Sequence, residues 1–197
     1  MSAEPLARIS SAIAGELMRL VVHNGMLTCP RSFLVTCNTL KFKFSNMYRF
    51  NDKTYEQNVN YKSKIGHTGC LYGTPMKIKE TIPLESNVYV IEMNNTTNKI
   101  EGIGLIINKN ILDKPYRIYD DMDYNRYIYK GNKRITVEAI SDEYNKRVIS
   151  VLEQLLFKGE RHCKRAQGIT ELPDWILHNK FEFDFVQVFT QIFNKYI

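Results

Sequence analysis

The 197-residue chain has little of what marks specialised classes: one tryptophan, six prolines and four cysteines. Cys29, Cys37, Cys70 and Cys163 are too few and too scattered for a secreted disulfide scaffold. No run of about 18 apolar residues occurs, so no membrane span is expected. The stretch Met1–Leu20 carries Glu4, Arg8, Glu16 and Arg19, which interrupt any signal-peptide core. The overlapping glycosylation acceptors in Asn94–Thr97 therefore have no secretory context, and an intracellular location, cytoplasm or nucleus, is expected. With 44% hydrophobic and 24% charged residues, disorder and low-complexity classes are excluded, and one domain over 1–197 is the expectation.

Catalytic signatures are absent too. No Gly-Lys-Ser/Thr sequence exists, and Gly102-Ile103-Gly104 lacks the third glycine of a dinucleotide fingerprint. There is no Gly-x-Ser-x-Gly elbow and no Cys-x2-4-Cys pair for structural zinc. His67 with Cys70 and His162 with Cys163 are the only close histidine–cysteine pairs. The run Asp120-Asp121-Met122-Asp123 with Asn125 opens like a calcium loop. It then places Arg126 and Asn132 where Gly and Glu belong. An acidic turn or a magnesium site are the two readings left for these aspartates. No cofactor, resident metal or catalytic residue is expected, and the function is read as non-catalytic.

What is present is positive charge, unevenly placed. The net charge is +6, and residues 31–79 hold 9 Lys/Arg against 2 Asp/Glu. Eight aromatics interleave with them: Phe33, Phe42, Phe44, Tyr48, Phe50, Tyr55, Tyr61 and Tyr72. Cations that neutralise phosphates beside rings that stack on bases suit RNA or single-stranded nucleic acid. The competing reading is a strand-rich core with a lysine-covered face. Lys41, Lys43, Lys62, Lys64, Lys77 and Lys79 are the candidate phosphate contacts. A second basic run, Lys158 to Arg165, puts four Lys/Arg and His162 within eight residues. Helix capping accounts for some of it, and Arg161, Lys164 and Arg165 are candidates for a second anion patch. Trp175, after Pro173-Asp174, is either a core anchor or a stacking platform.

The periodicity predicts a helix over 1–24 with Leu6, Ile9, Ile13, Leu17 and Leu20 on one stripe. A strand at Leu40–Phe44 follows, then a polar loop over 45–68. Val88–Met93 and Ile100–Ile107 are the strongest strand pair, apolar on both faces and so central in a sheet. Gly102 and Gly104 share one face of the second strand. They leave a notch for a ligand or backbone, or mark a bend at a barrel corner. Arg126–Lys130 and Arg134–Val137 read as a hairpin around Gly131-Asn132. A helix from Asp142 to Lys158 is expected, capped by Ser141 and ended by Gly159, with Tyr144, Val148, Val151, Leu152 and Leu155 inward. A last helix over Asp184–Tyr196 carries Phe185, Val188, Phe189, Ile192, Phe193 and Tyr196 on one stripe. The expected fold is α+β: a small curled sheet or barrel over 30–140, with helices at 1–24 and 141–197.

The stretch Val88-Tyr-Val-Ile-Glu-Met-Asn-Asn-Thr-Thr-Asn-Lys-Ile-Glu-Gly-Ile-Gly-Leu-Ile106 resembles the central hairpin of PUA-like β-barrels, most of all the EVE and YTH branches. Gly69-Cys70-Leu71-Tyr72-Gly73-Thr74-Pro75 sits where YTH domains carry an aromatic followed by small hydroxyl residues. The resemblance implies an RNA-binding barrel in which Tyr72 and Thr74 line a base pocket. Asn, Ile, Lys and Tyr make up 66 of the 197 residues. In this the chain resembles proteins of large eukaryotic DNA viruses, which implies a host-cell or virion setting. A reading from another class is a structural or adaptor protein, homo-oligomeric or partner-bound through the stripes at 6–20 and 185–196.

Overall fold

Strands β3 (Asn87–Asn94) and β4 (Lys99–Ile107), rich in the Val and Ile that favour extended backbone, pair antiparallel. The Asn94 side chain shapes the turn between them, accepting from the Thr96 N–H at 3.0 Å, and Asn98 sits at φ 58°. The computed structural model describes residues 43–179, 181 and 183–197. The helix expected over 1–24, and Lys41 with it, lie outside the described residues.

Around β3 and β4 a mixed five-stranded sheet is built, with two strands beyond β3 and one beyond β4. Strand β1 (Lys43–Phe50) runs parallel to β3, and the two-residue β7 (Thr170–Glu171) borders it antiparallel. On the other side β6 (Lys133–Thr136) pairs antiparallel with β4. A separate two-stranded sheet joins β2 (Cys70–Thr74) to β5 (Tyr127–Gly131). Among the described residues no barrel closes: β6 and β7 are the two edges of an open sheet. The α+β class and the C-terminal helices are as expected. The described residues form one compact unit.

The period of two sorts the large sheet into two faces. Met47, Tyr89, Ile91, Met93, Ile103 and Ile135 point to a core shared with α2 (Glu143–Phe157), α3 (Asp174–Leu177) and α4 (Phe185–Tyr196). Tyr48, Phe50, Val88, Val90 and Ile106 point the other way, into a core with the small sheet. Helix α1 (Asp52–Lys64) lies on this second side.

Four expectations are corrected. Residues 45–68 are not a loop: they hold most of β1 and all of α1. Asn51 starts α1 through a capping box, its side chain accepting from the Thr54 N–H at 2.8 Å while the Thr54 hydroxyl accepts from the Asn51 N–H at 3.0 Å. The expected hairpin at 126–137 does not form, because β5 pairs with β2 and β6 with β4. Asp142, not Ser141, caps α2, whose inward stripe is Val148, Ile149, Leu152, Leu156 and Phe157, leaving Tyr144 exposed. Finally, the apolar face of α4 is not offered to a second subunit: Phe185, Val188, Phe189, Ile192 and Phe193 are buried in the chain's own core.

Gly131 is where the chain passes from the small sheet to the large one. A Cβ there would stand 1.9 Å from the Leu105 carbonyl oxygen and 2.9 Å from the Cys70 sulfur. Only a residue without a side chain lets the two sheets approach this closely. Gly131→Ala is therefore expected to destabilise the fold by about 3 kcal/mol in urea denaturation. An unchanged unfolding midpoint would contradict this role.

Candidate functional site

Glu92 is the one charged residue in the apolar run of β3, and it is 1% exposed. Arg134 on β6 meets it with two nitrogens: Nε donates to both carboxylate oxygens at 3.0 Å, and Nη2 to Oε2 at 2.6 Å. The Tyr72 hydroxyl donates to Oε1 at 2.8 Å, and Tyr55 of α1 accepts from Nη2 at 3.4 Å. Burial opposes the charge on Arg134, but the adjoining carboxylate outweighs it and holds the guanidinium above its ordinary pKa. Burial, reinforced by the neighbouring Cys70 and Glu92, raises the Tyr72 phenol well above its ordinary range. Burial also pushes the Cys70 thiol up to about 12, so no reactive thiolate forms there.

This network corrects the expected base pocket. Tyr72 and Thr74 are both 0% exposed. The Tyr72 hydroxyl is committed to Glu92, and the Thr74 hydroxyl donates to the Met76 carbonyl at 2.5 Å. Neither offers a surface to a base. The notch over Gly102 and Gly104 is filled from within: added Cβ atoms there would meet Arg134 Nη2 at 3.1 Å and the Tyr72 hydroxyl at 2.1 Å. Most of the interleaved rings are likewise core. Tyr48 and Phe50 are buried, and Phe44, Tyr55 and Tyr61 are half-buried against the same cluster. Lys62 is 8% exposed, and burial, only partly offset by Glu92, lowers its pKa.

The surface tells a different story at the other end of β2. The segment from Lys158 to Ile169 leaves α2 and returns to the sheet edge, with Gly159 and Gly168 at φ 80° and 70° at its two ends. Both angles lie in the left-handed region that glycine tolerates best. Three groups pin the loop. The Arg49 guanidinium donates from Nε to the Cys163 carbonyl and from Nη1 to the Thr170 hydroxyl at 2.9 Å. Asn95 donates to the Lys164 carbonyl at 3.0 Å, and the Cys163 N–H to the Leu156 carbonyl at 2.7 Å. With its backbone and Cys163 held inward, the loop presents Arg161 and Arg165 exposed and Lys164 half-exposed.

Gly168 rests against Thr74 and Met76, where an added Cβ would lie 3.4 Å from the Thr74 Cβ and 3.8 Å from the Met76 carbonyl oxygen. That contact places the basic loop beside the segment carrying Lys77 and Lys79. Lys77 Nζ stands 5.7 Å from the centre of the Tyr127 ring, and Tyr124 is hydrogen-bonded to Gln167. Lys79 pairs with Glu171 at 3.8 Å. Among the described residues Lys77, Arg161, Lys164 and Arg165 form no ion pair.

The remaining candidates fall elsewhere. Lys62 neighbours Cys70 at the start of β2, whereas Gly168 packs on Thr74 at its end. Four residue steps of about 3.3 Å separate those two strand positions. Lys64, exposed, lies two residues beyond Lys62 at the end of α1. The side chain of Lys43 is outside the described set. Trp175 packs on the helix-side core, across the sheet from the small sheet, and acts as an anchor. The aspartates do not converge: Asp120 pairs with Lys53 at 2.9 Å, Asp121 caps a short 3₁₀ turn, and Asp123 pairs with Arg126 at 2.7 Å. Among the described residues no three His, Cys, Asp or Glu side chains gather as metal ligands, and no helix is long and apolar enough to cross a membrane.

Sequence reasoning missed Arg49, Asn95, Glu92 and Arg134. The signal for Glu92 was its isolation among apolar residues, since a carboxylate in a central strand requires a partner. No family model, no curated protein and no solved structure matches the chain.

Removing one member of a buried ion pair leaves the other charge desolvated and alone. Glu92→Met is expected to lower stability by about 3–5 kcal/mol, and Arg134→Met by a similar amount. The double variant should lose much less than the sum in urea denaturation. Additive losses would show that the two side chains do not act as a pair.

Proposed function

We propose that the chain is a non-catalytic binder of single-stranded nucleic acid, RNA in the first instance. The contact of Gly168 with Thr74 and Met76 carries this reading, because it joins two basic segments that lie about ninety residues apart in sequence into one surface. The contributing cations are Lys77, Arg161, Lys164 and Arg165, with Lys79 at the margin. Tyr127 and Tyr124 lie beside them, packed in part against the same core as Phe44, Tyr55 and Tyr61, so a base would meet only their uncovered part.

The pinned loop adds to the case. A cation on a fixed backbone loses less freedom on meeting a phosphate than one on a loose segment. Arg161 and Arg165 also bring the planar fork that matches phosphate oxygens. The reading keeps the nucleic-acid ligand expected of a PUA-like protein but moves it off Tyr72 and Thr74. It needs no closed barrel, no metal and no activated nucleophile. The rival view of an assembly protein loses its C-terminal contact surface, since the apolar face of α4 is occupied internally.

Fluorescence anisotropy with a labelled single-stranded RNA, at several salt concentrations, tests the proposal. Affinity is expected to fall steeply with salt. Replacing Arg161, Lys164 and Arg165 together by alanine should flatten the log–log slope by about 2, as three lost phosphate contacts on a single strand require. Lys64→Ala should leave it unchanged. Binding indifferent to salt, or equally weakened by Lys64→Ala, would overturn it.

A further inference from the structure

The β3–β4 turn and one flank of α2 border an open cleft of about 360 Å³. The turn contributes Thr97, Asn98 and Lys99. The helix contributes Ser150, Glu153, Gln154 and Phe157, spaced i, i+3, i+4 and i+7 and thus on one stripe. Lys158, which caps the helix, closes the cleft and begins the basic loop.

Its chemistry is mixed in a particular way. Two ammonium groups line it, together with two hydroxyls, two side-chain amides and one carboxylate. Glu153 already accepts the Ile100 N–H through Oε1 at 2.8 Å, which fixes that side chain and leaves Oε2 as an acceptor. Amides and hydroxyls both donate and accept. A ligand matching this set carries an anionic group and several hydrogen-bonding edges of both kinds. A bare anion would use only the lysines, and an apolar molecule would leave the polar stripe unpaired. The volume is that of one small ligand.

The same two segments hold the basic loop in place. Asn95, two residues before Thr97, donates to the Lys164 carbonyl at 3.0 Å. Lys158 thus belongs both to the cleft and to the basic loop that carries Arg161, Lys164 and Arg165.

We propose that this cleft takes a single nucleotide of the bound strand, its phosphate held by Lys99 and Lys158 and its base edge or sugar met by Asn98, Ser150 and Gln154. The inference rests on the nucleic-acid reading above. It adds a discrete, hydrogen-bonding site to an otherwise sequence-indifferent surface. Such a site is a source of base preference that the basic loop alone lacks.

Amide NMR titration of the full chain with AMP and UMP, with adenosine and inorganic phosphate as controls, tests it. The labelled RNA is titrated in parallel. At least one mononucleotide should shift Asn98, Lys99, Ser150 and Gln154, and bind more tightly than adenosine or phosphate. Gln154→Leu and Lys99→Ala, both on exposed residues, should each weaken it about tenfold. If RNA binds but no mononucleotide moves these amides, the cleft is overturned while the nucleic-acid reading stands. If phosphate alone reproduces the shifts with equal affinity, the site is a generic anion patch and the inference fails. If neither RNA nor mononucleotide binds, both readings fall.

Discussion

A carboxylate in the middle of a central strand has to be neutralised, and the way Glu92 is neutralised organises much of this molecule. Its partner Arg134 comes from β6, so the pair links the centre of the large sheet to its edge across β4. Tyr72 reaches the same carboxylate from the small sheet, and Tyr55 meets the guanidinium from α1. Four elements thus converge on one desolvated charge pair. Gly102 and Gly104 are the condition for it, because a side chain at either position would meet the Ile135 carbonyl and Arg134 or collide with Tyr72. Such a pair is worth little as net stabilisation against an apolar equivalent. Its consequence is register: a one-residue slip of β3 or β6 would strand one of the charges.

The same physics decides which parts of the fold could be read from sequence. Strands β3 and β4, α2 and α4 announce themselves through apolar periodicity, and each is found near its expected bounds. Helix α1 does not, since the residues it buries are Asn58 and Lys62. Asn58 donates to the Leu71 carbonyl at 2.7 Å and to the Tyr119 hydroxyl at 3.0 Å, a polar function on a core-facing side that no hydrophobic pattern reveals. Only the Asn51/Thr54 capping box marked the helix start. Strand β1 was marked only at Lys43 and Phe44, the end of the strand expected over Leu40–Phe44, because Ser45 and Asn46, buried beside them, break the apolar alternation. The missing 126–137 hairpin reflects a choice of partners that is non-local. Gly131-Asn132 has turn chemistry, but strands already waiting on two different sheets take up β5 and β6.

The candidate site was legible in its charges and not in its rings. Arg161, Lys164 and Arg165 stood out as more cations than a helix end requires, and Lys77 belonged to the basic first half. That these two regions adjoin is a tertiary fact, set by Gly168 on Thr74 and by the Arg49 and Asn95 tethers. The aromatics interleaved with lysines in 31–79 were misleading. In a strand-rich segment, alternating rings and lysines describe inward and outward faces, and the described rings there are core or partly so. Tyr72 shows the hazard most clearly, being the residue a base pocket most needed and among the most deeply buried in the chain.

A pinned basic loop joined to a second basic segment makes a local claim: contact with nucleic acid runs from the end of β2 along that loop to the β3–β4 turn. Hydrogen–deuterium exchange of the full chain, with and without a saturating single-stranded RNA, reads that location directly. Slower exchange is predicted across 75–79, 97–99, 124–127 and 158–168, with the last turn of α1 around Lys62 and Lys64 unaffected. Protection centred on that turn, or spread evenly over the molecule, would contradict the account.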